Sequence, residues 1–155
     1  MTVDIDTLYE MLDERKPIEV QEEAIREARK IKSLSIFMQP IEYKLSWKNC
    51  AKVICEKTDE ELNSYKYEML EWLRDLNWPG AFLIMERLEK MNPQLLLNAT
   101  IYAVKQALLL KDNEWLGWMS YLIKNKKFYD ALSEEKKYKK IMRRYYESYW
   151  GKLDY

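Results

Sequence analysis

A chain of 155 residues, 48% of them hydrophobic, is long enough for one domain with a real core; folding at this size buries about 70% of the unfolded chain's surface. Its 26 basic and 26 acidic residues cancel, so no global charge draws it to nucleic acid or to a membrane surface. It has no histidine and three scattered glycines, which removes the usual general base, the usual metal ligand, every Ser/His or Cys/His pair and any glycine-rich phosphate loop.

The opening MTVDIDTLYE is acidic where a secretion signal is basic and then apolar, so the expected location is cytoplasmic. Ile5, Leu8 and Leu12 recur at helical steps and predict a first amphipathic helix; Val20, Ala24, Ala28 and Ile31 predict a second beyond Pro17. LSIFMQP, Leu34 to Pro40, is too short for a long helix and reads as a buried connector. Ser46 is placed to cap a short helix that buries Trp47, Cys50, Ala51 and Ile54. Cys50 and Cys55 lie five apart on that helix, on different faces, and are expected to be reduced thiols rather than a bridge.

Thr58 and Glu61 match a capping box, from which a long helix is predicted to run to Leu76 with Met69, Trp72, Leu73 and Leu76 inward. Asn77-Trp78-Pro79-Gly80 breaks it, and Pro79 suits the first turn of the next helix, whose apolar stripe is Ala81, Phe82, Met85 and Leu88. Asn92-Pro93 opens another helix, apolar on more than one side. Its Asn98, Thr100, Lys105 and Gln106 favour a buried helix over a membrane span. Lys111-Asp112-Asn113 punctuates, and Trp115, Trp118, Met119 and Leu122 form one more stripe. From Lys124 to Arg144, nine bases face three acids. Ser133 is predicted to cap a final helix with Tyr138, Ile141, Met142, Tyr145 and Tyr149 inside and its lysines outside.

Helix starts near Thr58, Pro79, Pro93 and Asp112 describe two helical pairs offset by about 35 residues, within the range of stacked helical repeats. The predicted fold is therefore all-α and single-domain, a HEAT-like stack of antiparallel helix pairs forming a short α-solenoid. The runs AIREARKIKSLSIFMQP, WKNCAKVICEKTDEEL and EWLRDLNWPGAFLIMERL resemble an uncharacterised bacterial family of small all-helical HEAT-like domains, from about Ala24 to Asn125. That resemblance implies a protein-binding module. Some relatives are thought to be immunity proteins that bind and neutralise a cognate toxin, and no catalytic residues come with it.

Glu68, Glu71 and Asp75 recur at i, i+3 and i+7, which on one helix would align three carboxylates beside Trp72, with Asn77 and Trp78 at the corner. This ridge fits a solvated face with Lys66 and Arg74 as partners, or a docking site for a basic protein partner. Acid/base or metal chemistry is the remote alternative; no cofactor and no metal are expected. The second candidate surface comprises Lys136, Lys137, Lys139, Lys140, Arg143 and Arg144. It reads as the wet side of a capping helix, and alternatively as a nucleic-acid contact that zero net charge disfavours.

Overall fold

The computed structural model describes residues 3–155, which contain helices and turns but no strand. Half of the α-helix starts are fixed by a short polar side chain that satisfies an otherwise free amide. Asp4 caps α1 (Ile5–Met11), and Thr58 with Glu61 closes the expected capping box on α4 (Asp59–Leu62). Asn92 caps α7 (Pro93–Leu110), whose first position is Pro93; Asp112 caps α8 (Asn113–Met119), and Asn125 caps α9 (Lys126–Ala131). The remaining helices are α2 (Ile18–Arg29), α3 (Trp47–Cys55), α5 (Lys66–Trp72), α6 (Ala81–Glu89) and α10 (Lys136–Tyr149). Two expected caps are absent. The Ser46 hydroxyl donates back to the Tyr43 carbonyl at 2.6 Å, and Ser133 lies in a 3₁₀ turn, Leu132–Glu134, ahead of α10.

The helices form two rows around one core. α1 packs on α2, α2 on α3, α3 on α6, and α6 on the 3₁₀ turn Ser120–Lys124, which meets α10. Behind them α5 packs on α7 and α7 on α8 and α9, with α5 also touching α6. One hydrophobic cluster joins both rows, from Leu8 to Leu153, and includes the fully buried Trp72, Trp115, Phe37 and Phe128. Each large aromatic removes about 150–250 Å² from water, so these four contribute heavily to stability.

A ladder of side-chain to backbone bonds ties successive helix ends in the first row. Lys57 Nζ, just past α3, donates to the Arg29 carbonyl at the end of α2, 3.2 Å away. Arg87, near the end of α6, donates to the Lys57 carbonyl at 2.9 Å, and Asn125 donates to the Glu89 carbonyl at 3.0 Å. Carbonyls at a helix C-terminus have no partner within the helix, so each rung satisfies an orphan acceptor with a donor from the next unit. The Arg87 guanidinium also meets Asp59 at 2.6 Å.

The corner between α5 and α6 departs from the expectation in two ways. The predicted helix from Thr58 is interrupted by a 3₁₀ turn at Asn63–Tyr65 and ends at Trp72, four residues short of Leu76. Pro79 does not open α6. The Ala81 amide donates to the Trp78 carbonyl at 3.1 Å, and Gly80 at φ 82°, ψ −8° has the dihedrals of the third residue of a type II turn, with proline in the second. Gly80 is thus the N-cap residue, and Ala81 the first helical one.

Candidate functional site

The acidic ridge depended on one unbroken helix, and the early end of α5 takes it apart. Glu68 and Glu71 share α5, but Asp75 lies beyond it, where its carboxylate accepts the Asn77 amide at 2.8 Å and so shapes the turn. Lys66 is drawn to the Leu95 carbonyl at 2.5 Å. Arg74 faces Asp112 at 3.7 Å and lies over the Trp115 ring at 5.2 Å, so neither base makes an ion pair with the ridge. Burial holds the Glu71 carboxyl above its usual range; Arg74 eases this and Glu68 adds to it.

Trp72 is wholly buried, its indole N–H donating to the Pro79 carbonyl at 3.1 Å, and cannot reach a partner. Its function is support. Trp47 packs edge-on against both Trp72, at 6.2 Å, and Trp78, at 5.8 Å, so three indoles brace the corner from beneath. What remains accessible of the predicted surface is Glu68 and Asn77, with Glu71, Asp75 and Trp78 half-buried. Among the described residues no three acidic or thiol groups gather as metal ligands would. Cys50 and Cys55 are unbridged, and burial pushes their thiols up to about 12 and about 11.

The tyrosines of α10 lie on its more buried side and most of its bases outside, as expected, but several of those bases meet aromatic rings. Lys139 sits 4.4 Å above the Tyr129 ring, and Arg143 lies near both Tyr129 and Tyr155, bonding Glu147 at 3.1 Å and the Tyr155 carbonyl at 3.1 Å. Lys137 lies over Tyr138 at 5.7 Å. Arg143 and Lys139 thus tie α10 to Tyr129 on α9, and Arg143 ties it to the C-terminal Tyr155, through cation–π contacts, while Lys137 covers only its own neighbour. Lys136, Lys140 and Arg144 are exposed, with no carboxylate at ion-pair distance and no ring beneath them among the described residues.

Two features gave no usable signal in the sequence. The carbonyl ladder involves Lys57, Arg87 and Asn125, ordinary surface types whose partners lie 28, 30 and 36 residues away. The segment after Leu34–Phe37 holds Gln39 and Glu42 at positive φ, which their residue types do not advertise. A family model described as a domain of unknown function, DUF5071, matches residues 48–147. The match omits residues 24–47 of the resemblance and takes in the Lys/Tyr-rich stretch to residue 147 that the resemblance left out. No curated protein and no solved structure matches the chain.

Proposed function

The chain belongs to the DUF5071 family, and from that premise we propose that it is a non-enzymatic protein-interaction module of the cytoplasm, a HEAT-like stack that neutralises a cognate bacterial toxin by direct binding. The observation that carries this reading is the ladder of Lys57, Arg87 and Asn125, which locks successive helix ends into a stiff scaffold. A stiff scaffold loses little entropy on docking, so its surface side chains can act as preformed contacts. Binding alone then occludes the toxin's active site. Glu68, Glu71, Asn77 and Trp78 contribute to the contact, while Trp72 and Asp75 hold the corner in shape. Among the described residues no helix is long and apolar enough to cross a membrane, which accords with this role. Co-expression with the product of the adjacent gene, followed by size-exclusion chromatography, is expected to yield a stoichiometric complex; recovery of the two proteins in separate peaks counts against the proposal.

A second reading, nucleic-acid binding, is favoured by the unpaired Lys136, Lys140 and Arg144 on α10. Titration with single- and double-stranded oligonucleotides separates the two. Phosphate contacts weaken steeply with salt, so an affinity that is absent at low salt, or flat as salt rises, removes this reading.

A further inference from the structure

The loop between the 3₁₀ turn Leu34–Phe37 and α3 holds an isoleucine out in water. Ile41 is 86% exposed, more than any other large hydrophobic side chain among the described residues. Gln39 at φ 49° and Glu42 at φ 72° bracket it, two of the three non-glycine residues with positive φ; the third, Lys111, merely ends α7. The Nε2 of Gln39 is buried without a hydrogen-bond partner. Backbone strain, an orphaned amide and an exposed apolar side chain each oppose folding, and here they coincide within four residues.

The loop is nevertheless clamped. The Pro40 carbonyl accepts the Trp47 indole N–H at 2.9 Å and the Tyr43 amide at 3.2 Å. Tyr43 stacks on Tyr9 at 4.6 Å and donates its hydroxyl to Asp6 at 3.0 Å. Strain held by so many contacts presents Ile41 in one conformation, the arrangement that suits an anchor inserted into another protein.

Charge indicates what that protein offers. Glu42 and Tyr43, the residues next to Ile41, line a cleft of about 400 Å³ together with Tyr9 and Glu10. Asp13 in the same cleft is paired with Arg15 at 2.8 Å, and Lys44 also lines it; among the described residues Glu10 and Glu42 make no ion pair, so the lining carries one carboxylate in excess. Two carboxylates without an ion pair, one of them in excess over the cleft's bases, beside two tyrosine rings favour a cationic side chain through both charge and ring face.

We propose that the Ile41 loop and the Glu10/Glu42 cleft form a docking surface for a basic protein, whose apolar pocket takes Ile41 and whose lysine or arginine enters the cleft. This rests on the interaction-module reading and places the contact before residue 48, ahead of the family-matched stretch. The test places a photoactivatable leucine analogue at position 41, at position 78 or at position 109, the last an exposed site on α7, in the full chain inside its source cells. Position 41 is expected to trap one protein, at a peptide carrying lysine or arginine. The Glu10→Lys/Glu42→Lys variant, checked for an unchanged circular dichroism spectrum, lowers that yield by roughly tenfold. Adducts from 41 that match those from 109, that join a second copy of this chain, or that persist in the charge-reversed variant overturn the inference. A partner trapped from 78 and not from 41 overturns it while leaving the interaction module standing; a partner trapped from no position overturns both.

Discussion

Gly80 is the residue on which the α5–α6 corner depends, and its replacement has a calculable cost. A Cβ built there would lie 2.7 Å from the Ala51 Cβ, 3.0 Å from the Trp47 carbonyl oxygen and 3.4 Å from the Lys48 Cα. All three belong to the body of α3 and none can swing aside. A left-handed conformation costs an L-residue roughly 1–2 kcal/mol, and forced overlap in a packed region a further 1–3. Gly80→Ala is therefore expected to destabilise the fold by about 2–5 kcal/mol. At about 2–4 °C per kcal/mol for a protein of this size, Tm falls by roughly 4–20 °C.

Far-UV circular dichroism on heating and tryptophan fluorescence in urea both measure it. Gly151→Ala is the control. That residue also has positive φ, 102°, but nothing lies within 4 Å of its missing Cβ, so the substitution carries the backbone cost alone. A Gly80→Ala protein that melts with the wild type, or that loses no more than Gly151→Ala, refutes the argument that α3 and α6 approach too closely for a side chain.

Three further outcomes follow from the electrostatics. Burial alone would raise the Asp59 carboxyl, but the Asn92 amide and the Arg87 guanidinium hold it below its usual value. Its stabilising contribution is thus present above the unfolded pKa, about 3.9, and is lost as pH falls through the lower folded pKa. Urea unfolding of wild type and Asp59→Asn should give a stability gap at pH 7 that closes toward pH 2; a gap constant with pH contradicts this. Glu71 has the opposite sign, because burial favours its protonated form. Glu71→Gln is expected to raise Tm at pH 7 and to have no effect well below pH 4, about the unfolded value; a lowered Tm at pH 7 would show that the carboxylate makes a contact worth more than its burial. Finally, a Cys55 thiol at about 11 has only about one part in a thousand as thiolate at pH 8, and Cys50 less. Native protein should leave both unlabelled by a thiol reagent over minutes and release both on unfolding.

Caps and stripes were legible in the sequence because they are local. Thr58 with Glu61, Asn92 with Pro93, and Asp112 each act within three residues of themselves, and the structure uses them as the spacing predicts. Ala24, Ala28, Met69, Leu73, Met85 and Leu88 point inward because a helix repeats every 3.6 residues whatever surrounds it. The all-α class followed from those patterns. The family-matched stretch was legible in part, through the run around Trp78 and Pro79.

The candidate surface was less so, because an exposed face is defined by what lies opposite. Nothing in EMLEWLRDL marks where α5 stops; Asp75 left the ridge because its carboxylate closes a turn on Asn77, and Trp72 vanished from the surface because Trp47 and Pro79 fold over it. Lys139 and Arg143 were taken up by Tyr129 and Tyr155, ten or more residues away. Ile41 became exposed through positive φ at a glutamine and a glutamate, a conformation that only surrounding contacts can impose. The chain's own code thus decided which segments coil and which of their sides avoid water. Tertiary packing, over separations that reach 45 residues between Trp115 and Leu70, decided which polar and aromatic groups were consumed internally and which were left for another molecule, since each such contact depends on a partner that helical spacing does not specify.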